Sequence, residues 1–117
     1  MKKEIFALTL SAVMAAGTCS IPVMAADDTY NVGICQLVQH EALDAATQGF
    51  KDALTEEFGD KVTFDEQNAQ GDSNTCSTII NNFVSNDVDL ILANATAALQ
   101  AAAAGTEDIP VLGTAVT

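Results

Sequence analysis

Residues 31–50 read NVGICQLVQHEALDAATQGF, and this stretch decides the fold. A short apolar run ends at a polar elbow, QLVQH, and a helical pattern with apolar residues at spacings of three and four follows at once. In an open α/β sheet, the turn after the first strand presents backbone N–H groups and a helix N-terminus to small ligands. The elbow also carries the one histidine of the sequence, His40, and is therefore a candidate site.

The rest of the chain repeats this alternation of strand and helix. We predict strands over residues 30–35, 62–65, 88–93 and 109–112, and helices over residues 41–58, 73–86 and 97–104. Such an order predicts a parallel sheet, because crossover connections between strands of one sheet are right-handed and carry the helices. The expected fold is therefore α/β, a Rossmann-like sheet with strand order 2-1-3-4 and flanking helices.

The first 25 residues have the pattern of an export signal. Two lysines precede an apolar run over residues 5–17, which is short for a membrane span, and small residues stand near position 25. We predict a signal peptide over residues 1–25 and a mature segment over residues 26–117, at the periplasm or the outer face of the cell membrane. A lipid anchor at Cys19 is the less favoured alternative, because Thr18 stands where lipoprotein signals place Gly, Ala or Ser.

The mature segment is strongly acidic. Residues 26–117 hold 15 Asp or Glu residues against two lysines and no arginine, a formal charge of −13. A surface that follows nucleic-acid phosphates needs the opposite sign, so nucleic-acid binding is not expected. Anionic substrates are also disfavoured unless local dipoles overcome the surface potential.

Two cysteines, Cys35 and Cys76, remain in the mature segment. An exported protein can form a disulfide between them, and two buried thiols that act as small hydrophobes are the alternative. The sequence has no CxxC pair and no Cys/His cluster with metal spacing, so neither a metal site nor a cofactor is expected.

Polar turns follow all four predicted strands. They comprise residues 36–41, 67–73, 94–96 and 114–117. Because the C-terminal ends of parallel strands meet at one edge of a sheet, these turns collect there beside the helix N-termini, and such an edge suits a zwitterion or a carboxylate. Helix capping alone is the alternative role for any single one of these residues.

Four segments in this order carry a family resemblance: VGICQLVQHEALDAATQGF, QNAQGD, VDLILANATAALQAA and IPVLGTAVT. Together they resemble the ABC-transporter substrate-binding protein family that includes aromatic amino-acid binders. The resemblance implies a two-lobed, periplasmic-binding-protein-like protein, a monomer when full length, that captures an amino acid or similar small solute and delivers it to an ABC permease. It also implies that this chain is an N-terminal fragment, supplies most of one lobe and is not an enzyme.

By this resemblance the ligand-binding residues lie at the four turns. They are Gln36, Gln39 and His40 in the first turn, Asn68 and Gln70 in the second, Thr96 in the third, and Thr114 and Thr117 in the fourth. The chain departs from the family pattern at Glu41, Asn94 and Ala97, so the resemblance does not identify the ligand.

The role of His40 is open between ligand contact and helix capping, while catalysis lacks an identifiable orienting acid. The alternative function is a ligand-sensing receptor domain of the same fold. An enzyme on a similar sheet is disfavoured, because the sequence has no G-x-S-x-G elbow, P-loop or G-x-G-x-x-G motif.

Overall fold

Four strands and three helices alternate along residues 29–117, the part of the chain that the computed structural model describes. The strands are β1 (Tyr30–Gln36), β2 (Val62–Asn68), β3 (Leu90–Asn94) and β4 (Val111–Thr114), and the helices are α1 (Glu41–Phe58), α2 (Ser73–Ser85) and α3 (Thr96–Gly105). A 3-10 turn, Gly59–Lys61, joins α1 to β2. The predicted signal peptide and the predicted lipid-anchor position, Cys19, lie outside the described residues.

All strand pairs are parallel, and the sheet order is β2-β1-β3-β4. The predicted order 2-1-3-4 is therefore confirmed. β1 pairs with β2 along its whole length and with β3 from Val32 to Gln36, so it forms the centre of the sheet together with β3. A central parallel strand must be apolar on both faces, and β1 is buried from Val32 onward.

Successive residues of β1 and β3 point to opposite faces of the sheet, as the two-residue period of a strand requires. Val32, Ile34 and Leu92 pack in a cluster with Phe50 and Leu54 of α1. The second and larger cluster contains residues of β1 and β3 together with residues of α2 and α3: Cys35, Ile91, Ala93, Cys76, Ile79, Ile80, Phe83, Ala98 and Ala102. One helix thus covers one face, and two helices cover the other.

The apolar spacing of α1 and α2 predicts one inward face on each helix, and these faces are largely confirmed. In α2, Cys76, Ile79, Ile80 and Phe83 are buried and Val84 is half-buried. In α1 the apolar spacing allows either Ala53 or Leu54 at one inward position. Leu54 packs against the sheet, and Ala53 is exposed.

The bounds of all four strands differ from the prediction: β1 and β3 each end one residue later, and β3 begins at Leu90 instead of residue 88. The differences at β2 and β4 are larger in effect and have identifiable causes. β2 continues beyond residue 65 to Asn68, because its backbone keeps pairing with β1 although its side chains there are polar and exposed. The fourth strand was predicted over residues 109–112 and begins instead at Val111. Pro110 lacks the N–H that a strand residue donates, although its carbonyl accepts from the Ile91 N–H at 3.0 Å.

Gly33, in the middle of β1, sets the distance between the sheet and α2. A Cβ at this position would lie 2.6–2.8 Å from ring atoms of Phe83, which is fully buried. Real Cβ atoms do not approach a ring that closely, so only glycine permits this packing.

Gly33→Ala is expected to lower the free energy of unfolding by about 1–3 kcal/mol, because the added methyl group overpacks the Phe83 contact. Gly49→Ala is the matched control, since Gly49 lies within α1 with nothing near its missing Cβ. This control is expected to stabilise the protein by about 0.5–1 kcal/mol through helix propensity. Urea denaturation of the full-length mature protein measures both values, and a Gly33→Ala variant as stable as the wild type would contradict the packing argument.

Candidate functional site

The last residues of the four strands form a polar row at the C-terminal edge of the sheet. In spatial order they are Asn68, Gln36, Asn94 and Thr114, and each is the register partner of the next. The predicted convergence of polar turns at one edge is therefore confirmed. We name the segments that follow the strands the first elbow (residues 37–40), the second elbow (69–72), the third elbow (Ala95) and the fourth elbow (115–117).

Backbone hydrogen bonds tie the second elbow to the first and the first to β3. The Gly71 N–H donates to the Leu37 carbonyl at 2.7 Å, and the Ala69 N–H donates to the Gln36 carbonyl at 2.9 Å. The Leu37 N–H in turn donates to the Asn94 carbonyl at 3.1 Å. These bonds continue the pattern of the sheet beyond its last paired residues.

The third and fourth elbows are tied in the same way. The Ala95 N–H donates to the Thr114 carbonyl at 2.9 Å, and the Thr117 N–H donates to the Thr96 hydroxyl at 3.1 Å. Each elbow is therefore hydrogen-bonded to a neighbouring elbow or to the end of a neighbouring strand or helix.

An open depression of about 380 Å³ lies between the first and second elbows. Val38, Gln39, Asn68 and Gln70 line it. Three of these residues are predicted ligand contacts, and Val38, which is 37% exposed, adds an apolar surface that the sequence did not single out. The Asn68 carboxamide oxygen accepts from the Gln70 N–H at 2.7 Å and holds Gln70 at a positive φ of 54°.

His40 is the N-cap residue of α1. Its ring Nδ1 accepts from the Ala42 N–H at 3.1 Å, and the ring is exposed beside the elbow. A nitrogen that accepts carries no proton, so in this arrangement the ring proton is on Nε2. The capping role is therefore observed, and ligand contact through Nε2 stays a prediction.

Gln36 lies beneath the elbow and is only 2% exposed. Its Nε2 donates to the Val38 carbonyl at 2.9 Å and to an Asp44 carboxylate oxygen at 2.7 Å. Its Oε1 accepts from the Thr47 hydroxyl at 2.8 Å. The predicted ligand contact of Gln36 is untested, but in this structure both hydrogens of its amide are already used within the protein.

Asn94 occupies the equivalent position at the end of β3 and is fully buried. Its Nδ2 donates to the Leu43 carbonyl and to the Thr47 hydroxyl, both at 2.8 Å. Its Oδ1 is buried without a hydrogen-bond partner among the described residues. Thr47 thus joins Gln36 to Asn94, and sequence analysis missed it, although a β-branched polar residue beside the apolar stripe of α1 was the available signal.

α3 begins without a side-chain cap, unlike α1 and α2. Ala95 occupies its N-cap position, where the preferred residues would accept a hydrogen bond from the first helical N–H groups. These N–H groups lie beside Thr96, which is half-buried and bonded to Thr117. Helix N–H groups without a side-chain cap and the positive end of the helix dipole favour a carboxylate at this place.

The backbone at Ala95 is strained. Its φ of 102° and ψ of 160° lie in a region that is essentially restricted to glycine. Strain of this kind costs about 1–3 kcal/mol and is concentrated at functional sites. Gln70 and Ala115 also have positive φ values, so three of the four elbows contain a non-glycine residue in a sparsely populated conformation.

Ala95→Gly is expected to raise the free energy of unfolding by about 1 kcal/mol, because glycine relieves the strained φ. Ala104→Gly is the matched control: Ala104 is exposed within α3, and this substitution is expected to lower stability by about 0.5–1 kcal/mol. Urea denaturation separates the two, and an Ala95→Gly variant destabilised as much as the control would show that Ala95 is not strained.

Cys35 and Cys76 are both fully buried and are free thiols. The predicted disulfide is not formed in this structure, which shows the alternative state of two buried thiols. Burial raises the pKa of the Cys35 thiol to about 12, and the neighbouring Cys76 adds to the shift. Burial also raises the pKa of Cys76. Both therefore stay protonated at neutral pH and are poor nucleophiles.

Within residues 29–117, no group of three or more His, Cys, Asp or Glu side chains is arranged to hold a metal ion. No helix in this part of the chain is long and apolar enough to cross a membrane.

A family model described as ABC transporter substrate binding protein matches residues 31–117. The chain belongs to the ABC transporter substrate-binding protein family. The match covers all the strands and helices described above except Tyr30, the first residue of β1, and it confirms the resemblance given by the four sequence segments. Because the family consists of binding proteins, the expectation that the chain is not an enzyme is also confirmed.

Individual relatives agree with this assignment. A tyrosine-binding protein from Clostridioides difficile strain R20291 is 48% identical over 90 residues, which cover 74% of this chain and 26% of that protein. A ligand-free, open substrate-binding protein with adhesive properties from Clostridium difficile superposes with a TM-score of 0.73 at 46% identity, over 76% of this chain and 31% of the other.

A more distant solved relative is an ABC domain from Streptococcus pneumoniae in complex with L-Trp. It has a TM-score of 0.72 at 36% identity, over 77% of this chain and 31% of the other. This chain therefore spans between a quarter and a third of the length of these relatives.

Proposed function

We propose that this chain is part of one lobe of an extracytoplasmic solute-binding protein of an ABC import system. In this proposal the full-length protein is exported, captures a small solute between two lobes and delivers it to a membrane permease. Ligand binding stabilises a closed state of the lobes, which the permease recognises. The observation that carries the proposal is the polar edge of the sheet, where four elbows lie side by side and the first two border an open depression.

The chemistry of this edge favours a zwitterionic amino acid. The uncapped N-terminus of α3 suits the carboxylate of such a ligand, although the chain as a whole is too acidic to attract anions. An ammonium group, by contrast, is attracted by the net charge of −12. Two relatives support the same class, since one is named for tyrosine and the other is in complex with L-Trp.

We assign ligand contact to polar residues of the edge that are exposed or half-buried. Gln39, Asn68 and Gln70 line the depression, and Thr96, Thr114 and Thr117 lie at the third and fourth elbows near the N-terminus of α3. His40 follows Gln39 in the first elbow and is exposed, and its Nε2–H can donate to a ligand. Gln36 is buried behind the first elbow and supports the site indirectly, through the hydrogen bond from its Nε2 to the Val38 carbonyl.

L-Tyrosine and L-tryptophan are expected to raise the melting temperature of the full-length mature protein. A ligand that binds only the folded state stabilises it by about 2.7 kcal/mol at a concentration one hundred times its Kd. Tyramine, which lacks the carboxylate, is the matched control and is expected to give a much smaller shift. The absence of a shift with tyrosine, tryptophan and the other standard amino acids would contradict the proposed ligand class.

His40→Ala and His40→Asn separate ligand contact from capping. Asparagine caps a helix as well as any residue, whereas alanine loses about 1 kcal/mol of stability at an N-cap. We expect both variants to weaken L-tyrosine binding in calorimetry, while the asparagine variant keeps wild-type stability. Wild-type affinity in His40→Asn would show that His40 only caps α1.

A further inference from the structure

We propose that Thr47 is a positioning residue of the binding site, whose hydroxyl fixes the first elbow against the third. The proposal deepens the proposed function and rests on it for its ligand-binding part. Thr47 does not line the depression. Its role is to connect the first elbow, which does line it, to the third elbow, which leads into the N-terminus of α3.

The position of Thr47 brings three segments of the chain together. It lies in the second turn of α1, is 2% exposed and is packed between the ends of β1 and β3. Its hydroxyl bonds to Gln36 on one side and to Asn94 on the other, each at 2.8 Å. These two residues are register partners and directly precede the first and third elbows.

The direction of every hydrogen bond in this network is determined. The Leu43 carbonyl can only accept, so Nδ2 of Asn94 faces it and gives its second hydrogen to Thr47. The Thr47 hydroxyl, having accepted one bond, donates its hydrogen to Oε1 of Gln36. The other end of the Gln36 amide then meets two acceptors, the Asp44 carboxylate and the Val38 carbonyl.

Only a hydroxyl can fill the central position of this network. It must accept from an amide N–H on one side and donate to an amide oxygen on the other, within the space of a buried β-branched side chain. Valine has the same shape without either capacity, and its introduction leaves a buried donor and a buried acceptor unpaired.

The network ends on atoms that shape the candidate site. The Val38 carbonyl belongs to the first elbow, whose Val38 and Gln39 line the depression. Asn94 precedes the strained Ala95, which in turn leads into the uncapped N-terminus of α3. Among the described residues, Oδ1 of Asn94 is buried without a hydrogen-bond partner, and a buried unpaired group of this kind calls for a functional explanation.

The test compares Thr47→Val with Thr47→Ser in the full-length mature protein. Serine keeps the hydroxyl and removes a methyl group, while valine keeps the shape and removes the hydroxyl. Ile79→Val, which trims a buried side chain of α2 on the other face of the sheet, serves as the control for general destabilisation. Each variant is measured by hydrogen exchange without ligand, and by calorimetry with L-tyrosine and L-tryptophan as probes.

Thr47→Val is expected to speed amide exchange about tenfold in peptides covering residues 36–44 and 93–97, while residues 79–88 keep the wild-type rate. It is also expected to weaken binding of the probe amino acids about tenfold, because both halves of the edge lose their fixed spacing. Thr47→Ser keeps wild-type behaviour in both measurements. Ile79→Val lowers stability and leaves probe affinity unchanged.

Several outcomes would overturn the proposal. Uniformly faster exchange along the chain makes Thr47 an ordinary core residue, and faster exchange at only one of the two elbows removes the link between them. A serine variant as impaired as the valine variant assigns the effect to the methyl group. If the wild type binds neither probe, the proposed function fails, and hydrogen exchange still decides whether Thr47 couples the elbows.

Discussion

The ring of Phe83 lies directly on the backbone of Gly33, and the arrangement of the other elements depends on this contact. β1 is paired on both sides, so a helix that packs against its middle residue is placed relative to the whole sheet. The same device recurs at Gly105, where a Cβ would lie 2.7 Å from Ile80. Missing side chains on this face let α2 and α3 approach closely, which buries a continuous core in a small domain.

The interior changes character at the C-terminal end of the sheet. Away from this end, the buried side chains are apolar. At the edge itself, the buried side chains include three polar ones, Gln36, Thr47 and Asn94. A buried polar network costs stability if any member lacks a partner, but it specifies one arrangement more sharply than apolar packing does. The edge therefore has a buried network of polar side chains on its protein side. Backbone hydrogen bonds hold its elbows, and amide and hydroxyl groups are exposed on its solvent side.

Most of the fold follows from local patterns in the sequence. The strand and helix alternation, the sheet order and the inward face of α2 depend on periodicity and connection handedness, which neighbouring residues reveal. The extension of β2 to Asn68 does not follow from the local sequence, because its polar residues are typical of a loop. Only their backbone pairing with β1 makes them part of a strand. Pro110 has a similar effect on β4, since the start of this strand depends on which backbone groups can pair.

The sequence predicts where the candidate site lies, but not which contacts its side chains make. Parallel topology alone brings the polar turns together, so their convergence follows from the sequence. The direction of each side chain depends on partners distant in the chain, and sequence cannot show that Gln36 turns inward to Thr47 or that His40 bonds to its own helix. The conformation of Ala95 is equally hidden, because its residue type gives no sign of a positive φ.

The hydrogen bonds between neighbouring elbows have a thermodynamic consequence for recognition. When a loop becomes ordered only on ligand binding, the conformational entropy that it loses lowers the affinity. The elbows of this protein are hydrogen-bonded before a ligand binds, so they lose that entropy when the domain folds. Any solute that binds at this edge therefore meets a surface whose geometry is already set. This edge then discriminates between solutes by shape and by hydrogen-bond complementarity. Any adjustment to solutes of different shape has to come from a mobile surface on the opposite side of the ligand.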